Sequence, residues 1–287
     1  MGARRLAVAG LVVALLAGAC GGGGGGGAGK SPVEVLTGVP ARTIAARSSR
    51  VTFTIHIPAN PNVPPAAPVS VTGEGVFEFG TNKGRMTLDL SAAGLPGKIE
   101  SIVDDKVVYE KLPPSLASKV PGGKPWLKVD ESVLSQRAGI DLGSLSQAQS
   151  SDPTQALEYL KGTSGDLHEL GRQRVRGEQS TRYALTIDLE KALAGSPQAQ
   201  QTLESFRKLV GTTSFPAQVW VDDAGRMRKF QFSLDLSKSS DPAASHYQGP
   251  ITMTLELYDF GTPVNAAPPP ADQVTDLGVL LGQGGGA

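Results

Sequence analysis

The side chains best suited to chemistry are few and scattered. His56, His168 and His246 are the only histidines, and no two stand at the spacing that lets a pair of imidazoles share one metal ion. Two aspartate pairs, Asp104-Asp105 and Asp222-Asp223, have the right groups for cation binding or proton sharing. Each pair falls between strand-like segments, where aspartate side chains bond to the local backbone, so both are expected at hairpin turns. No Gly-x-Ser-x-Gly elbow, phosphate loop or dinucleotide fingerprint occurs. His56 lies on the polar side of its segment, and Trp126 and Trp220 read as packing anchors. The expectation is a protein that is not an enzyme, with no catalytic residue, no metal and no cofactor.

One residue does carry a chemical assignment. Cys20 is the sole cysteine of 287 residues, so no internal disulfide exists. It follows Arg4 and Arg5, an apolar run from Leu6 to Ala19, and the small residues Ala17-Gly18-Ala19. That is the order of an export signal, and the run is shorter than the ~20 residues a spanning helix needs. Cleavage after Ala19 would expose Cys20 for acylation, although Ala17 stands where a lipobox usually has leucine and Leu16 lies one further back. Glycines 21 to 27 then make a flexible leash; residues 20–30 would span roughly 15–20 Å. The expected location is the outer face of the cell membrane, held by the lipidated Cys20. Lys plus Arg equals Asp plus Glu at 27 each, and this balance argues against a nucleic-acid partner.

The elements that follow are mostly strands. Val51, Phe53, Ile55 and Ile57 alternate with Thr52, Thr54 and His56. Similar alternation occurs over Val69–Phe79, Arg85–Leu90, Tyr183–Leu189, Lys229–Leu236 and Ile251–Tyr258. Period two with one polar side predicts antiparallel strands with one buried face, because parallel strands covered on both sides read as continuous apolar runs. Gly73 and Gly75 would let one strand bend. Helices are fewer. Ser196-Pro197 opens one that buries Ala199, Leu203, Phe206 and Val210, and Asp152-Pro153 opens another over Leu157, Tyr159 and Leu160. Asp130 caps a short one through Val133 and Leu134. A helix from Ser31-Pro32 towards Ala46 is expected to be interrupted by Pro40.

Counting faces gives an α+β fold: a single large curved antiparallel β-sheet with helices packed on its concave face. The organisation read from this is a signal peptide (1–19), a lipid-anchored Gly-rich tether (20–30), one domain (31–275) and a flexible C-terminal tail (276–287).

Three stretches carry a resemblance. Val175-Arg176-Gly177-Glu178-Gln179-Ser180-Thr181-Arg182-Tyr183 leads into Ile187-Asp188. Pro216 precedes Trp220-Val221-Asp222-Asp223-Ala224-Gly225. Tyr258-Asp259-Phe260-Gly261-Thr262-Pro263-Val264 is followed by Pro270 and Val274. In this order they resemble the LppX/LprA/LprF/LprG family of actinobacterial cell-envelope lipoproteins, whose half-barrel is similar to the carrier LolA. The Pro-rich residues 58–68 depart from the family pattern. The resemblance implies a protein that holds acylated lipids or glycolipids in an apolar cavity between sheet and helices, with a lipid exporter as a further partner. The cavity candidates are Phe53, Ile55, Met86, Leu88, Leu185, Ile187, Leu203, Phe206, Phe230, Phe232, Leu234, Met253 and Leu255. A scaffold lipoprotein with a filled core is the alternative.

Overall fold

The computed structural model of the chain describes residues 31–62, 66–91, 97–118, 120, 122–130, 160, 167–194, 199–242 and 244–279. The signal peptide, Cys20 and its tether, the Asp152-Pro153 and Val133-Leu134 helices (Leu160 excepted), the Ser196-Pro197 cap and the tail from residue 280 lie outside the described residues. Among the described residues no helix is long and apolar enough to cross a membrane.

A single twelve-stranded sheet runs through the described residues. Its strands are β1 (Ser48–Ile57), β2 (Val69–Glu78), β3 (Lys83–Asp89), β4 (Lys98–Asp104), β5 (Val107–Lys111), β6 (Trp126–Asp130), β7 (His168–Val175), β8 (Glu178–Asp188), β9 (Ser214–Asp222), β10 (Met227–Leu234), β11 (Ile251–Tyr258) and β12 (Val274–Asp276). The order across the sheet is β12-β6-β5-β4-β3-β2-β1-β11-β10-β9-β8-β7, so the two chain halves join where β1 pairs β11. The sheet is open, with β12 and β7 at its edges. Every pair is antiparallel except β12 on β6. This is the α+β, single-sheet arrangement that the alternation predicts.

The turns form where the aspartate pairs stand. Asp105 adopts a positive φ of 57° and, with Lys106, closes a two-residue hairpin between β4 and β5. In the β9–β10 hairpin the Asp222 carboxylate accepts from the Arg226 N–H at 2.8 Å, while Gly225 supplies a φ of +78°.

Four α-helices accompany the sheet among the described residues: α1 (Pro32–Ala45), α2 (Pro114–Ala117), α3 (Leu189–Ala192) and α4 (Ala199–Val210). Ser31 and Glu34 close a reciprocal capping box at the start of α1. The expected break at Pro40 does not occur: α1 continues through it to Ala45. The reason is tertiary, since Leu36, Val39 and Thr43 are all buried on one stripe, and that burial outweighs the bond Pro40 cannot donate. Thr43 locks the helix to the sheet, its hydroxyl donating to the Val39 carbonyl (2.8 Å) and accepting from the Met227 N–H (2.9 Å).

Leu36 and Val39 of α1 and Leu203 and Phe206 of α4 join one hydrophobic cluster with Val51, Leu185, Ile187, Val219, Phe230 and Leu257 of the strands. Helices α1 and α4 therefore pack on one side of the sheet, here termed the inner face. Beyond β11 the chain runs through residues 259–273 to β12, seven strand positions away. That is roughly 34 Å at ~4.8 Å per step, well within the roughly 50 Å reach of the segment when extended. The strap is fastened at one end by Gly261 and Thr262 to Ser48, and at the other by Lys124 to the Val274 carbonyl and Lys128 to Asp276.

Candidate functional site

The inner face is built in rows, because strand register fixes which side chains stand side by side. One row runs Phe232, Met253, Ile55, Val71 across β10, β11, β1 and β2. The next runs Phe230, Leu255, Phe53, Gly73, Leu88, Ile99 and so reaches β4. A third runs Leu257, Val51, Gly75, Met86, Ser101, Glu110, Leu127, Thr275 to the far edge.

The candidate residues divide into two groups. Met86, Leu185, Ile187 and Phe230 are sealed, with exposures between 0% and 6%. Phe53, Ile55, Leu88, Leu203, Phe206, Phe232, Leu234, Met253 and Leu255 are only half-buried. The sealed residues of β8 and β10 pack together with Leu203 and Phe206 of α4. There an aromatic ladder steps from Phe206 to Phe215 (5.7 Å), Phe232 (5.2 Å) and Phe230 (5.7 Å). Most half-buried residues instead lie on β10, β11, β1 and β3, where Phe53, Phe232, Leu234 and Leu255 pack against the edge of that cluster and keep part of their surface exposed.

Glycines shape this floor. A side chain on Gly73 would lie within 2.1 Å of the Phe53 ring, so the ring rests directly over β2. At Gly75 the obstacle is backbone, the Arg85 carbonyl at 2.1 Å, so its bare Cα is what lets β3 approach there.

One ionisable side chain interrupts these rows. Glu110 shares the inner side of β5 with Val108, between Ser101 on β4 and Leu127 on β6. Among the described residues no hydrogen bond or ion pair reaches its carboxyl. Burial raises its pKa above the ordinary carboxylate value. The periodicity reading missed it because Val107-Val108-Tyr109-Glu110-Lys111 has no clean alternation. The hairpin turn held the signal: with Asp105-Lys106 at the tip, Val108 and Glu110 must share a side.

The outer face is polar and cross-linked. Trp220, 3% exposed, donates its indole N–H to Gln173 at 2.8 Å and lies under Arg182 and Lys229. Arg176 bonds Glu256 at 2.8 Å and covers the Tyr258 ring. A polar hollow of about 340 Å³ between the β7–β8 and β9–β10 hairpins is lined by Arg174, Glu178, Asp222, Asp223 and Arg226. Its charges largely serve each other, with Arg226 on Asp222 at 2.9 Å and Arg172 on Asp223 at 2.7 Å. Among the described residues no group of three or more His, Cys, Asp or Glu is placed to hold a metal ion. His56 is exposed beside Ser70, and His168 and His246 are exposed on separate elements.

No family model matches the chain. A 31.2 kDa uncharacterized protein from the rplA–rplJ intergenic region of Streptomyces griseus is 26% identical over 262 residues, covering 89% of this chain and 82% of that protein. The lipoprotein LprF of Mycobacterium bovis aligns at 15% identity and a TM-score of 0.43, covering 83% of this chain and 96% of that one. A LolA-superfamily protein of Nitrosomonas europaea aligns at 13% identity and a TM-score of 0.29, covering 82% and 96%. The chain, an open single-sheet α+β domain, is similar over 83% of its length to the whole of the lipoprotein LppX of Mycobacterium tuberculosis, at 12% identity and a TM-score of 0.47.

Proposed function

We propose that this protein binds and carries acylated lipids or glycolipids of the cell envelope on the apolar inner face, while Cys20, acylated, holds it at the outer face of the membrane. The observation that carries the reading is the half-buried set Phe53, Ile55, Leu88, Phe232, Met253 and Leu255, aligned in register across neighbouring strands. An ordinary core would seal such side chains. Moving a sixteen-carbon acyl chain through water exposes ~15 methylenes at ~0.8 kcal/mol each, about 12 kcal/mol, so a carrier must keep matching apolar surface open. Aliphatic residues and phenylalanine satisfy an acyl chain without demanding a fixed ligand geometry. The sequence motifs, which resemble a family of lipid-holding lipoproteins, agree with this reading. A lipid exporter is the partner that such a carrier would hand to or receive from.

The test is to express residues 31–287, a compact unit by itself, purify it without detergent and extract it for mass spectrometry. Stoichiometric lipid is the expected result, and protein that is consistently lipid-free overturns the proposal. Intact mass of membrane-extracted full-length protein tests the anchor. Diacylglyceryl and acyl mass on the wild type, absent from Cys20→Ala, is expected; an unmodified wild type refutes it.

A further inference from the structure

The inner face has one ionisable side chain in the middle of a row that is otherwise apolar or hydroxyl-bearing. Register sets Glu110 beside Ser101, with Met86 beyond it on one side and Leu127 then Thr275 on the other. On β3 to β6 the ion-paired charges sit outside: Glu100 with Arg85 and Lys111, Lys83 with Asp104, Lys128 with Asp276. Those same β3, β4, β5 and β6 strands therefore follow a consistent pattern, and Glu110 is the exception to it. A half-buried carboxyl without a partner costs stability and packs no better than leucine or glutamine. Its chemistry, however, is specific. Neutral, it donates one hydrogen bond and accepts others; ionised, it accepts only. In either state it meets hydroxyl donors well. It meets phosphate or carboxylate badly, because two like charges in an apolar setting repel strongly or force one to take up a proton.

We propose that Glu110, with Ser101 beside it, sets the charge selectivity of the inner face, accepting the uncharged, hydroxyl-bearing end of a lipid and rejecting anionic headgroups. This rests on the carrier reading above. It adds which end of the ligand lies over β4 and β5, the polar end. The acyl chains then extend over Leu88, Phe53 and Leu255 in the adjoining row.

The test uses the full-length chain with phosphatidylcholine donor and acceptor vesicles. Donor vesicles are doped with pyrene-labelled diacylglycerol or with pyrene-labelled phosphatidic acid of the same acyl composition. The wild type is expected to move diacylglycerol at least tenfold faster than phosphatidic acid. Glu110→Gln keeps shape and hydrogen bonding but removes the charge, and should raise the phosphatidic-acid-to-diacylglycerol ratio at least fivefold. Glu110→Leu should shift the ratio in the same direction, so the inference does not depend on one variant folding well. A ratio unmoved in both variants overturns the role of Glu110 and leaves the carrier reading standing. A wild type that moves neither lipid overturns the carrier reading and this inference with it.

Discussion

Glu110 also bears on stability. Desolvation raises its folded-state pKa above the ordinary value, while the unfolded chain titrates near that value. Below the ordinary value both states hold the proton and the group carries no penalty. As pH rises through the raised folded value, the native state must ionise a carboxyl on an apolar face, and stability falls. Glu110→Gln should therefore be more stable than the wild type at pH 7, by about 2–4 °C in melting temperature, the shift that ~1 kcal/mol produces in a domain of this size. The difference should vanish near pH 4. Calorimetry at the two pH values checks this, and equal gains at both would show that the carboxyl is not desolvated. A site residue that lowers stability at the working pH is what selection for binding rather than packing leaves behind.

The elements were legible to the extent that their physics is local. Strict alternation located β1, β2, β3, β8, β10 and β11 because each buries one side, and turn chemistry located the β4–β5 and β9–β10 hairpins. Strand β7 was not legible: its residues are exposed up to Val175, so His168-Glu169-Leu170-Gly171-Arg172 carries no period to read. Strand β12 escaped for another reason, since it is three residues long and exists only because the strap delivers it to β6. Helix α3 was hidden because Asp188 both ends β8 and caps the helix, its carboxylate accepting from the Glu190 N–H at 2.9 Å. At α1 the misreading of Pro40 shows packing overriding propensity, and Thr43 is where that packing is fastened. Thr43→Val keeps shape but orphans the Met227 N–H, and should cost about 1–3 kcal/mol in urea unfolding. Thr43→Ser should recover most of it; a neutral Thr43→Val would mean the bond contributes nothing. Between β2 and β3 the same logic gives an ordering. Gly75→Ala must push back the backbone of Arg85, whereas Gly73→Ala displaces only the movable ring of Phe53. Gly75→Ala should cost about 3 kcal/mol or more and the larger share of the two. The reverse order would place the constraint in the ring.

At the scale of the whole molecule the question is whether the inner face works as a core or as a surface, and burial differs along the sheet. Towards β8 and β9 it is a core: Ile187 and Val219 are both 0% exposed. Towards β11, β1 and β3 the burial is partial, with Leu255, Phe53 and Leu88 half-buried on aligned positions, and under the carrier reading this part serves as surface. Sequence periodicity cannot separate these, because a residue facing a packed helix and one facing a ligand have the same polarity and the same period. The difference appears on adding volume. Val219→Trp has nowhere to place its ring and should lose about 3 kcal/mol or more by overpacking. Leu255→Trp, if the carrier reading holds and an acyl chain's room lies beside it, should stay within about 1 kcal/mol of the wild type in the same denaturation assay. Its ring would occupy the room an acyl chain needs, so co-purifying lipid should fall at least fivefold by mass spectrometry. A Leu255→Trp protein as unstable as Val219→Trp would make the central rows a closed core and the protein a scaffold. One that is stable yet still fully loaded would move the acyl chains away from β11, to the part of the inner face nearer Leu88 and Ile99.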